Sequence, residues 1–278
     1  MCAVRLRTTA HSSNVFPPPR EFVRPLAPTS TQCANTYAPL WKDGVLKIAV
    51  VLGYKDARPN RFVGDRYERA AVTSYLTAEC VPGWAACGFA QDEYDPDLFR
   101  KEGVELRLAH SAAGPDDDEN RKDAFQKWMS QNAEKTFFTG LRDSDVVFYN
   151  GHSRDGGGPD FRPPQLTADK HVDYPWYARE RPQMKRLFDN LEAAQTQVRL
   201  LGLFSCSSSN HFLEELSNLR PELGLITSHR LLYYSDALRN LLGALSAVLQ
   251  KQCAPALDEA LALGSGERPM RVRAFFSH

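Results

Sequence analysis

His152 and Cys206 are the residues of this chain best placed for covalent chemistry. His152 follows the apolar run DVVFYN (145–150) after a single glycine, and Cys206 directly follows VRLLGLFS (198–205). A thiol with a pKa near ~8.5 is only slightly ionised at neutral pH, so a nucleophilic cysteine needs a base or a positive potential beside it. His152 is placed to supply that base. A helix opening just after Cys206 adds the positive end of its dipole, and the small polar sequence SCSSSN suits such a turn without covering the sulfur. Backbone N–H groups of Ser153 and Cys206 then hold the oxyanion of a tetrahedral intermediate, a contribution of roughly 10²–10³ in rate per donor.

The two residues meet only if their strands are neighbours in one parallel sheet. From Val45 onward short apolar runs alternate with helix-like segments, the pattern of an α/β fold with a mainly parallel sheet and helices on both faces. VLKIAVVLGY (45–54) reads as the first strand, and GVELRLAH (103–110), DVVFYN (145–150), VRLLGLFS (198–205) and LGLITSH (223–229) as the next four. Asp65 and Glu68 stand at capping-box spacing ahead of Ala70, Ala71, Tyr75 and Leu76, which predicts a helix start. The acidic run Asp116 to Glu119 reads as dipole partners of the helix carrying Phe125, Trp128 and Met129.

Met184, Leu187, Phe188 and Leu191 give a helical stripe between the third and fourth strands. Ser207 to Asn210 offer caps for a helix through Phe212, Leu213, Leu216 and Leu219, and Ser235 for one through Leu238, Leu241, Leu242, Leu245, Val248 and Leu249. A short helix around Ala256 to Leu263 and an edge strand at Met270 to Phe276 close the pattern. Residues 1–40, rich in proline, read as an extended N-terminal arm, and residues 41–278 as one domain.

Composition narrows the partners. Lys plus Arg and Asp plus Glu number 34 each, so no global basic field draws the chain onto nucleic acid or anionic lipid, and a polypeptide or small molecule is the expected partner. No apolar run approaches a bilayer span. Met1 to Ala10 lacks the apolar core of a secretory signal, so the chain reads as cytoplasmic by default, or as extracytoplasmic if its N-terminus is already processed. The six cysteines do not form paired C-x-x-C spacing, and no metal or cofactor is expected. Cys80 and Cys87 bracket CVPGWAAC, which closes as a disulfide if the protein works outside the cytoplasm and otherwise holds two free buried thiols. A dinucleotide fingerprint is missing after the first strand, and the run Gly156 to Gly158 lacks the G-K-S/T ending of a phosphate loop.

The segments YNGHSRDGGG and LLGLFSCSSSNHF, with ITSHRLLYYSDALRNLLGALSAVL after them, resemble clan CD cysteine peptidases: caspases, gingipains, legumain, separase and the CHAT-type bacterial relatives. The resemblance spans roughly residues 45–250 and implies a caspase-like three-layer sandwich. It also implies a cysteine endopeptidase with Cys206 as nucleophile and His152 as acid/base, and, without a long linker after Cys206, a single-chain enzyme. Where that family carries Gly directly after the histidine, this chain carries Ser153, with Gly151 before it.

For specificity, Asp155, Asp160 and Asp173 are candidates to line a pocket for a basic P1 side chain, with Arg58 and Arg61 as the opposite choice for an acidic one. Two other functions compete. GHSRDG approaches the nucleophile elbow G-x-S-x-G, with Ser153 as nucleophile and Asp189 and His229 completing a triad, although Asp155 stands where the elbow needs Gly. A non-catalytic caspase-like domain that binds a partner peptide is the rival from another class.

Overall fold

The computed structural model describes residues 34–55, 64–263 and 265–273. Its strands are β1 (Leu46–Leu52), β2 (Ala90–Gln91), β3 (Leu98–Lys101), β4 (Val104–His110), β5 (Val146–Asn150), β6 (Leu200–Phe204), β7 (Gly224–Ser228) and β8 (Met270–Arg273). They form one sheet in the order β2-β3-β4-β1-β5-β6-β7-β8. The five central strands from β4 to β7 are parallel, and β2, β3 and β8 add antiparallel edges.

The helices are α1 (Ala34–Tyr37), α2 (Asp65–Thr77), α3 (Asp117–Asn120), α4 (Ala124–Asp143), α5 (Tyr174–Glu180), α6 (Met184–Glu192), α7 (Glu214–Leu219), α8 (Tyr234–Leu249) and α9 (Ala254–Ala260). The central strands are apolar on both sides because both sides are covered. Ile48, Val50 and Leu52 of β1 pack with Val72 and Leu76 of α2 and with Leu241 and Leu245 of α8. Ala49 and Val51, pointing the other way, join Phe137 and Leu141 of α4, Leu187 of α6 and Leu216 of α7. The result is a three-layer α/β sandwich. Among the described residues no helix is long and apolar enough to cross a membrane.

Strand order decides where a site can form. From β1 the chain crosses to β4 on one side, then returns past β1 to β5 and continues outward to β6 and β7. The order therefore reverses between β1 and β5, and the crevice at the carboxyl ends of strands beside such a reversal is where open α/β sheets bind ligands. The chain leaves that edge at Tyr54 and Lys55 after β1, at Gly151 and His152 after β5, and at Ser205 and Cys206 after β6.

Several local expectations are corrected. The hairpin of β2 and β3 has no counterpart in the sequence reading, because its two-residue and four-residue strands are too short to show a period. Tyr37 and Leu40, at the end of the segment read as an arm, are buried in the core, and Tyr37 Oη donates to Gln252 O at 2.7 Å. Residues 1–33 of the expected arm, and residues 274–276 of the expected last strand, lie outside the described residues. Gly64 is the N-cap of α2, so Asp65 and Glu68 do not form the expected capping box. Tyr233, without a side-chain cap bond, replaces Ser235 as the N-cap of α8.

Tyr149 of β5 fixes the turn that carries His152. Its buried hydroxyl accepts the Asp160 N–H at 2.7 Å and stands 3.0 Å from His152 O and 3.1 Å from Asp160 O, either of which takes its proton. Gly53 and Gly151 close over that hydroxyl so tightly that a Cβ on either would sit 2.3 Å from it. Steric closeness thus explains why glycine precedes the histidine. Tyr149→Phe leaves the Asp160 N–H and one carbonyl unsatisfied, and urea unfolding should show a loss of about 1–3 kcal/mol with an unchanged denaturant slope.

Candidate functional site

β5 and β6 run parallel with Asn150 beside Phe204, so the loops carrying His152 and Cys206 leave the sheet together. They are tied directly. Ser153 Oγ donates to Cys206 O at 2.6 Å, and Gly151 N donates to Phe204 O at 3.4 Å. A third segment joins them from the far side of β7: Ser207 N donates to Arg230 O at 2.8 Å, and Leu232 N points at Cys206 Sγ from 3.4 Å, with Leu232 O 3.5 Å from the same sulfur. His152 is 7% exposed, and its Nε2 lies 3.3 Å from Tyr234 Oη at the start of α8.

The helix expected after the sulfur begins at Ser209, first as one wide turn (Ser209–Leu213) and then as α7. Ser208 does not cap it. Its hydroxyl instead donates to Leu203 O at 2.8 Å and accepts from Ser228 N at 2.8 Å, stitching β6 to β7. The backbone is strained where the loops turn, because Arg154, Asp155 and Ser207 all hold positive φ (45°, 53° and 51°), a region that non-glycine residues adopt at a cost.

Cys206 is oxidised in this structure. It is disulfide-bonded, as is Cys253. Cys80 and Cys87 pair with each other, the outcome that the sequence tied to an oxidising environment. Nucleophilic chemistry at Cys206 therefore belongs to its reduced form.

The candidate basic-P1 pocket is not assembled. Asp160 is buried and its Oδ2 accepts from Arg154 Nε at 2.6 Å, beneath the Tyr177 ring. Asp173 caps α5 by accepting from Trp176 N at 2.9 Å, and Asp155 is exposed, 3.9 Å from His211 Nε2. Two of the three carboxylates are thus committed to internal partners. Arg58 and Arg61 lie outside the described residues. The serine triad also fails to form: Ser153 is 4% exposed with its hydroxyl committed to Cys206 O, while Asp189 pairs with Lys185 on the exposed face of α6.

The structure adds a polar cluster beside His152. Lys55, three residues past the end of β1, is 1% exposed and pairs closely with Glu68 of α2, itself 4% exposed. Lys55 Nζ also donates to Asn150 Oδ1 at 3.0 Å, and Asn150 Nδ2 donates to Glu68 Oε2 at 3.3 Å. The ammonium lies 5.0 Å from the centre of the Tyr234 ring. Burial pushes the Lys55 pKa down and the Glu68 carboxyl up to about 7, each opposed by the charge of the other.

Asp65 lies behind this pair, its Oδ2 accepting from Ser111 N at 2.7 Å and Ala112 N at 2.6 Å while its Oδ1 is buried without a hydrogen bond. Burial raises it to about 6. Lys55 was legible by the same rule that picked out His152 and Cys206, since it too follows an apolar strand. Tyr234 carried no such signal.

Comparison with protein-family models, with curated proteins and with solved structures finds no match.

Two outcomes follow from the buried charges. Lys55→Met should cost about 3–5 kcal/mol by stranding Glu68, and Lys55→Met with Glu68→Leu should recover most of it, as read by chemical denaturation. Asp65 binds its proton more tightly folded than unfolded, so its contribution to stability is full below pH ~4 and falls as pH rises through about 6. Asp65→Asn should therefore gain on the wild type by about 2–3 kcal/mol between pH 4 and pH 7, measured by urea unfolding at each pH.

Proposed function

We propose that the reduced form of this protein is a cysteine endopeptidase of the clan CD, caspase-like kind. The observation that supports the reading is the shared exit of two loops: parallel pairing of β5 with β6 and the Ser153 to Cys206 hydrogen bond bring together the loop that carries His152 and the loop that carries Cys206, next to the reversal in strand order. The clan resemblance of YNGHSRDGGG and LLGLFSCSSSNHF falls on those same two loops.

In this mechanism the Cys206 thiolate attacks the scissile carbonyl carbon, and the oxyanion rests on the backbone N–H groups of Ser153 and Cys206. Collapse breaks the C–N bond, His152 gives its proton to the departing amine, and a thioester remains. Water, giving its proton to His152, then hydrolyses the thioester to the acid and restores the thiol. The substrate is a polypeptide, and the disulfide on Cys206 makes the resting protein latent until a dithiol reduces it by exchange.

The oxidised Cys206 specifically favours a second reading, a non-catalytic domain of the same fold that binds a partner peptide. A fluorogenic peptide mixture varied at P1 separates the two. With dithiol present, cleavage should appear in the wild type, fall by about a hundredfold or more in Cys206→Ala and His152→Ala, and fall less than about tenfold in Ser153→Ala. Silence of the reduced, folded protein on all mixtures favours the second reading, and activity that depends on Ser153 but not on Cys206 overturns both.

A further inference from the structure

Lys101, the last residue of β3, carries a charge that its surroundings do not balance. Its ammonium donates to Ala85 O at 3.3 Å and Cys87 O at 3.1 Å and faces the Phe89 ring from 5.7 Å, and among the described residues no carboxylate joins these contacts. Partial burial without a counter-charge pulls the Lys101 pKa below its ordinary value. The remaining contact of the ammonium is Cys80 Sγ, 3.7 Å away.

That sulfur belongs to the Cys80–Cys87 disulfide, whose two halves sit in different surroundings. Cys80 is exposed, whereas Cys87 is 0% exposed within the core. Gly88, with φ 68°, keeps space open beside the outer sulfur, since a Cβ there would lie 3.1 Å from Cys80 Sγ. Cys87 Sγ stands 3.1 Å from Trp84 O, an acceptor for the S–H that it carries once reduced. One position suits a thiolate and the other a thiol.

As a staple the bond does little. It joins residues only 7 apart in sequence, and a cross-link closing so short a loop removes the least entropy from the unfolded chain. The loop is also held without it: Gly88 N and Phe89 N donate to Ala78 O and Leu76 O, each at 2.8 Å, Ala85 N donates to Ser246 Oγ of α8 at 3.0 Å, and buried Trp84 meets Tyr75 edge-on. Both sulfurs therefore keep their places when the bond opens.

From this arrangement we infer that Cys80–Cys87 is a reversible thiol-exchange site, at which a small thiol joins Cys80 as a mixed disulfide and Lys101 holds the thiolate released there. The incoming thiolate attacks Cys80 Sγ, and the electron pair of the broken S–S bond goes to Cys87 Sγ, which takes a proton from solvent. A second thiolate attacks the small-molecule sulfur of the mixed disulfide, and that electron pair passes to Cys80 Sγ beside the ammonium. The two small thiols leave as their disulfide, having given the protein two electrons. Lys101 pairs with Val104 at the start of β4, so the site lies at the amino ends of the parallel strands, away from the edge that carries His152 and Cys206. Exchange there requires neither of those residues.

The test equilibrates folded, full-length protein with mixtures of reduced and oxidised glutathione, a couple that structural disulfides resist. Samples are quenched in acid, alkylated and read cysteine by cysteine by peptide mass spectrometry, with circular dichroism following the fold. The Cys80–Cys87 pair should open while the fold persists, and Cys87→Ser should collect glutathione on Cys80. In Lys101→Met the equilibrium constant for reduction should fall about threefold at pH 8 and hardly at pH 6, where neither thiol ionises, as expected if the ammonium stabilises the thiolate about tenfold. A pair that stays closed in the most reducing mixture until the protein unfolds, Cys87→Ser without an adduct on Cys80, or a Lys101→Met constant equal to the wild type at pH 8 overturns the inference. Should Lys101→Met fail to fold, the pH dependence of Cys80 alkylation in the reduced wild type decides: a midpoint below the ordinary thiol value of ~8.5 supports the site, and one at or above it overturns it.

Discussion

The register between β5 and β6 is the constraint on which the candidate site depends. With Asn150 held beside Phe204, the next residues of both strands must emerge together, and Gly151 and Ser153 bond across the gap to Phe204 O and Cys206 O. A slip of one residue would turn every side chain of either strand to the other face and bury His152 or Cys206 in the wrong layer. The apolar layers guard against that slip, because Phe148 and Phe204 belong to one core and Val147, Tyr149 and Leu203 to the other.

Beneath the two loops lies a polar floor unusual for the end of a central strand. Tyr149 ties the His152 turn to the Asp160 segment, and Lys55, Glu68 and Asn150 close a charged triangle next to it. Such groups stabilise little on balance, since desolvation consumes most of the attraction between them. Their effect is on geometry: each has few alternative partners in the dry interior, so the backbone around His152 is held in one arrangement, positive φ at Arg154 and Asp155 included.

Much of this was legible in the sequence. The five parallel strands and the placement of His152 and Cys206 at their carboxyl ends follow from apolar runs, which buried strands must have whatever their neighbours do. What escaped were features set by long-range pairing. Asp65 and Glu68 had the spacing of a capping box, yet their carboxylates turn inward to Ser111, Ala112 and Lys55, partners remote in sequence that a local window does not contain. Asp160 and Asp173, read as candidate pocket carboxylates, have partners close in sequence, Arg154 and the Trp176 N–H, and that reading gave the helix cap at Asp173 no weight. The β2–β3 hairpin was missed because its strands are shorter than any period that could announce them. The oxidation of Cys206 was likewise hidden, since spacing does not fix which cysteines pair.

The central claim, that His152 and Cys206 act as a pair, is tested most directly by the pH dependence of Cys206 alkylation. The protein is reduced with a dithiol, freed of it and treated with iodoacetamide, and Cys206 labelling is followed by peptide mass spectrometry from pH 4 to 10. A paired thiolate predicts labelling that begins well below the ordinary thiol range and an acidic limb that disappears in His152→Ala. A single limb near ~8.5, the same in wild type and His152→Ala, would contradict the account.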